Sequence, residues 1–130
     1  MSSTKIGASK VANVVVPVAD VDAAIEFYVD KLGLEKRVDV PFQEAYRWVE
    51  VAPQGAETTI ALAPPPPGKS SGDRETGITL YTDDLEGYYE QLKAQGVDVD
   101  PEISRFGDPV PPMFWFRDPE NNTLLVVGPA

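Results

Sequence analysis

The chain has 130 residues, 42% of them apolar and 25% charged, and contains neither histidine nor cysteine. That length and balance suit a single globular domain and exclude a disordered chain, while the two absences exclude imidazole bases, thiolate nucleophiles and the softer metal centres built from them. The net charge of −10 argues against nucleic acid and anionic membrane partners, and fits either a cationic ligand or a solvated acidic surface.

The opening MSSTKIGASK has no apolar core segment, so no secretory leader is expected, and the apolar run 14–19 is too short to span a bilayer. A cytoplasmic location is the default. Residues 11–18 (VANVVVPV) are β-branched and bounded by turn formers, which predicts a buried strand. Asp20 then offers a helix N-cap, and Val21, Ala24, Ile25, Tyr28 and Leu32 follow at helical spacing up to Gly33, a suitable C′ residue. Strands are expected over 34–40, 46–51 and 58–63, the last two joined by a Pro53-Gln54-Gly55 turn.

Residues 64–75 (PPPPGKSSGDRE) read as a linker, stiff at its polyproline start and flexible at its end. The order then begins again. Residues 77–81 predict a strand, Asp83 or Asp84 a cap, and Leu85, Tyr88, Tyr89 and Leu92 the buried stripe of a second helix ended by Gly96. Further strands are expected at 99–103, Met113–Arg117 and Thr123–Val127, the last two separated by the Asp118-Pro119-Glu120-Asn121-Asn122 turn. Asp20 and Asp84 are 64 positions apart and Gly33 and Gly96 are 63 apart, which indicates an internal duplication of a βαβββ unit. The expected fold class is α+β, with two such modules (about 10–63 and 76–128) in one domain, 1–130, forming a curved mixed sheet around a cleft.

The segments VADVDAAIEFYVDKLGL, TDDLEGYYEQLKAQGV and FWFRDPENNTLLVV, with strands and a linker between, make the chain resemble the vicinal oxygen chelate superfamily. That group includes glyoxalase I, extradiol dioxygenases and the bleomycin-resistance proteins, and the resemblance covers nearly the whole chain. It implies paired modules enclosing a cleft, and in the family's enzymes a divalent metal held from the first and fourth strands of each module. Those positions fall here on Asn13, Ala61, Gly77 and Leu125. Ala61, Gly77 and Leu125 have no side-chain donor and Asn13 offers one neutral oxygen, short of the roughly three protein ligands that a catalytic ion needs. No metal and no cofactor are therefore expected.

Strand alternation on that register turns Asn13, Val15 and Pro17 to the cleft, with Gly77, Thr79 and Tyr81 on the fifth strand. On the third and seventh strands the cleft receives Tyr46, Trp48 and Glu50, and Met113, Trp115 and Arg117. The expected ligand-binding set is Asn13, Tyr46, Trp48, Glu50, Trp115 and Arg117. The tryptophans offer a stacking wall, though they fit sheet packing or a dimer contact equally well. Glu50 suits a ligand cation, a catalytic base or plain solvation; Arg117 suits a ligand anion or pairing with Asp118 or Glu120.

Together these features point to a metal-independent small-molecule binding protein, resembling the bleomycin-resistance branch, that sequesters a cationic or aromatic drug or metabolite as a homodimer. The alternative is an enzyme of the same superfamily, a lyase, isomerase or dioxygenase, with a displaced metal site or acting through Glu50 and Tyr46.

Overall fold

In the computed structural model, which describes residues 5–130, the first β-branched run forms strand β1 (Asn13–Pro17). Residues 1–4, the start of the segment read for a leader, lie outside the described residues. Asp20 caps α1 (Val21–Ile25) by accepting the Ala23 amide at 3.1 Å. The helix widens into a π-helical stretch, Glu26–Lys31, where the Leu32 amide donates to the Phe27 carbonyl five residues back. Gly33 ends it at φ 83°, a left-handed conformation that costs glycine little. Strands β2 (Glu35–Phe42), β3 (Tyr46–Ala52) and β4 (Thr59–Ala63) complete a sheet of order β1-β4-β3-β2, with β1 and β4 parallel.

The second module repeats this with β5 (Glu75–Tyr81), α2 (Leu85–Ala94), β6 (Asp98–Val99), β7 (Met113–Arg117) and β8 (Thr123–Val127), in the order β5-β8-β7-β6. Of the two capping candidates it is Asp84 that accepts, from the Gly87 amide at 2.9 Å. At the other end the Val97 amide bonds the Leu92 carbonyl and the Gly96 amide that of Lys93, a paired closure that satisfies two terminal carbonyls. The strand expected over 99–103 is cut to two residues because Pro101 has no amide hydrogen for a ladder. The chain rejoins β7 only through a single Ser104–Met113 bridge.

The α+β class and the tandem βαβββ modules are those read from the sequence, and each module keeps its own four-stranded sheet. Val16, Val49, Val51 and Leu62 on the inner face of the first sheet share one core with Phe114, Phe116, Leu124 and Val126 on the inner face of the second. Both helices contribute to it. Phe27 lies 6.1 Å from Phe116 across the module boundary, and Tyr89 meets Phe114 edge-on at 5.1 Å. Each fully buried side chain of this size contributes about 1.5–3 kcal/mol. Two tyrosines cross between modules: the Tyr28 hydroxyl donates to Asp118 Oδ2 at 2.9 Å, and that of Tyr88 to the Leu32 carbonyl at 2.6 Å.

The segment between modules is tied down at its far end. Gly72 has φ 82° and lies so close to the Glu120 carbonyl that a Cβ would collide with it. The Asp73 amide donates to that same carbonyl at 3.0 Å, and Asn121 Nδ2 to Asp73 Oδ1 at 2.9 Å. Among the described residues no helix is long and apolar enough to cross a membrane.

Candidate functional site

With the inner faces committed to one core, each sheet turns its other face outward. On the first sheet the ladder pairs Asn13 with Thr59, Val15 with Ala61 and Glu50 with Ala61, which sets these side chains on the outer face as alternation requires. Val40 pairs with Trp48 and Phe42 with Tyr46 further out on the same face. It is an apolar surface: Val15, Val40, Phe42 and Tyr46 are 47, 47, 38 and 49% exposed.

Glu50 stands in the middle of it. Trp48 Nε1 donates to its Oε2 at 2.7 Å, and Thr59 Oγ1 to its Oε1 at 2.7 Å. The Trp48 indole N–H and then the Thr59 hydroxyl lower the Glu50 pKa, outweighing the opposing effect of partial burial. The Trp48 ring is buttressed in turn by Phe42, edge-on at 5.8 Å. No arginine or lysine pairs with Glu50 among the described residues. The arrangement is an oriented carboxylate with lone pairs to spare, beside an aromatic ring. It can accept from an N–H or O–H donor and balance a positive charge. Thr59 was not singled out from the sequence, although its alternation with Ala61 in TTIALA marks it as the one hydroxyl of β4 on that face.

On the second sheet Trp115 and Arg117 are half-buried on the outer face. Arg117 is engaged by neither Asp118 nor Glu120: its Nη1 donates to Asp100 Oδ1 at 2.8 Å and its Nη2 to Asp98 Oδ1 at 2.9 Å. Asp100 also accepts the Trp115 amide at 3.2 Å, so this arginine braces the sheet edge. The tryptophans occupy corresponding strands without occupying corresponding places. Glu50 pairs with Ala61 and Trp115 with Leu125, so Trp115 stands where Glu50 stands, and the counterpart of Trp48 is Met113. Trp48 and Trp115 belong to the outer faces of different sheets.

The profile of the Glyoxalase/Bleomycin resistance protein/Dioxygenase superfamily matches residues 10–126. The chain belongs to this superfamily. It is 31% identical over 119 residues to the YetH protein of Bacillus subtilis strain 168, covering 90% of this chain and 96% of that protein. The structure resembles that of TnmS3, an antibiotic binding protein from Streptomyces sp. CB03234, with a TM-score of 0.84, 32% identity, and 97 and 100% of the two chains covered. A superfamily member from Sphaerobacter thermophilus gives the same TM-score, 0.84, at 31% identity, with 93 and 98% covered.

On the register that the resemblance implies, the metal-binding positions of superfamily enzymes correspond to Asn13, Ala61, Gly77 and Leu125. Val15 pairs with Ala61 and Thr79 with Leu125, so the 64-residue repeat holds where the ladders are regular. Gly77 leaves the ladder: the register shifts between Glu75 and Thr79, and Gly77 has φ 73°. The donors do not fit a divalent ion. Three of the four positions lack a donor atom, and among the described residues no cluster of three or more acidic side chains is placed to hold one.

Proposed function

We propose that this superfamily member binds an organic small molecule, without a catalytic metal, on the aromatic outer face around Trp48 and Glu50. The Trp48–Glu50–Thr59 cluster carries the reading. A carboxylate held ionised by two short hydrogen bonds amid apolar side chains suits a planar ligand bearing a protonated amine, which stacks on the indole while its N–H meets Glu50. The antibiotic-binding activity of TnmS3, similar in sequence and fold, supports small-molecule capture.

A single chain presents this face as an open half-site, with Asn13 and Tyr46 beside the cluster. We propose that a second copy covers it, placing its own Trp115 face opposite Trp48, so that a homodimer encloses two equivalent clefts. Exposed apolar side chains on the sheet that would be covered, and a symmetric arrangement that uses each face once per copy, support this.

The test is a titration with a panel of planar antibiotics and metabolites, cationic and neutral, following tryptophan emission in wild type and in Trp48→Phe. Quenching by cationic aromatics that weakens at least tenfold in Glu50→Gln is the expected result. No response across the panel would overturn the binding reading. Elemental analysis of protein purified without chelators addresses the metal, and a stoichiometric transition metal would overturn that part.

A further inference from the structure

Four of the five arginines are paired with carboxylates: Arg37 with Glu35, Arg47 with Asp22 and Asp39, Arg105 with Glu86, and Arg117 with Asp98 and Asp100. In a chain with 21 acidic residues against 11 basic ones, that is what simple pairing favours. Arg74 is the exception among the described residues. Its one side-chain hydrogen bond runs from Nη2 to the Ser70 carbonyl at 3.0 Å, which leaves most of the guanidinium fork without a protein acceptor.

Arg74 does not project at random into solvent. With Lys69, which likewise forms no ion pair among the described residues, it lines a cavity of about 700 Å³ between β1 and the segment that precedes β5. Val15 and Pro17 of β1 and Pro66 supply apolar wall, and Glu75 and Thr76 border the β5 side. The Thr76 hydroxyl is spent on the Thr123 carbonyl at 2.8 Å. The backbone that carries Arg74 is held on both sides, by the Asp73 contacts to Glu120 and Asn121 and by the Thr123 amide donating to the Arg74 carbonyl at 2.7 Å. With the backbone held, only the Arg74 side chain has to order when it meets an anion.

We propose that this cavity is a second ligand site, one that takes the carboxylate of a small organic acid with an apolar body. Arg74 receives the carboxylate through its planar fork, Lys69 adds a point charge, and the apolar body lies on Val15, Pro17 and Pro66. Glu75 makes the lining one net positive charge rather than two, which favours a monoanion over a dianion. Val15 belongs to the same outer face as the Trp48–Glu50 cluster, but this site uses none of the cluster's own residues and its chemistry is of opposite sign.

The probe is 1-naphthoate, with the neutral 1-naphthylmethanol as its control, titrated into uniformly ¹⁵N-labelled full-length protein. Expected are amide shifts confined to Val15, residues 66–76 and their contacts, and tighter binding of naphthoate than of the alcohol. Arg74→Gln should weaken naphthoate at least tenfold and leave the alcohol unchanged, while Arg74→Lys retains part of the affinity. Melting temperatures of the variants check that the fold is kept, and in wild type higher ionic strength should weaken naphthoate alone. Shifts centred elsewhere, or equal naphthoate affinity in wild type and Arg74→Gln, would overturn the proposal. Neither result bears on the Trp48 titration with cationic probes, so the two readings fail separately.

Discussion

Asp118 is a buried carboxylate that accepts four protein donors: the Tyr28 hydroxyl, the Glu120 and Asn122 amides, and Asn122 Nδ2. Burial, and after it the neighbouring Asp118 charge, raise the Tyr28 pKa well above the usual tyrosine range, so this phenol is a permanent donor. Tyr28→Phe leaves the carboxylate one donor short; it should cost about 1–3 kcal/mol, read as a lower urea midpoint at unchanged slope. The turn at 118–122 was legible in the sequence from its proline and asparagines, but the partner 90 residues away was not. Tyr28 announces itself only as one apolar position of a helical stripe. Glu50 offers a second test at this scale. Its folded-state pKa is depressed, so it stays ionised as pH falls until below the usual glutamate range, and only then takes up a proton. Acid titration should show a Trp48 emission change with its midpoint below that range, absent in Glu50→Gln. A midpoint at or above the ordinary value would contradict the two hydrogen bonds.

At the scale of elements, the start of α1 is held by more than its own cap. The Glu120 carboxylate from the β7–β8 turn accepts the Ala19 amide at 2.9 and 2.8 Å and the Asp20 amide at 3.0 Å, placing a negative charge at the positive end of the helix. Burial raises the Glu120 pKa, while the Asp20 amide, the Ser71 hydroxyl and the Ala19 amide lower it, and the lowering wins. Its contribution is therefore complete above the unfolded-state pKa and lost as pH falls through the folded one. Glu120→Ala should destabilise the protein by about 2 kcal/mol at neutral pH, with the difference from wild type shrinking in acid, as denaturation at several pH values would measure. The helices, their aspartate caps and their terminal glycines were readable because capping and periodicity are local. The shortened β6 follows from Pro101, a local signal that the strand expected over 99–103 passed over, whereas the bulge at Gly77 depends on what the neighbouring strand supplies.

For the whole molecule, the outer faces are where the proposed homodimer is tested. Val40 is 47% exposed on the first sheet, so Val40→Glu should change the stability of one chain by no more than about 0.5 kcal/mol. In the proposed homodimer it buries a charge, and light scattering should show a shift to monomer together with weaker binding of cationic probes. A dimer of undiminished stability in Val40→Glu would place the contact elsewhere. The likeness of three segments pointed to the family, while residue type, spacing and the 64-residue repeat determined, without coordinates, the α+β class, the two βαβββ modules and the lack of any histidine or cysteine ligand. These are legible because they rest on local periodicity and on which atoms a side chain carries. Only the tertiary structure decided that the two tryptophans stand on separate outer faces, that Arg117 is spent on Asp98 and Asp100, and that Arg74 is left without a carboxylate. Those outcomes follow from which sheet faces the shared core and which charges lie within reach across it, and long-range packing sets both.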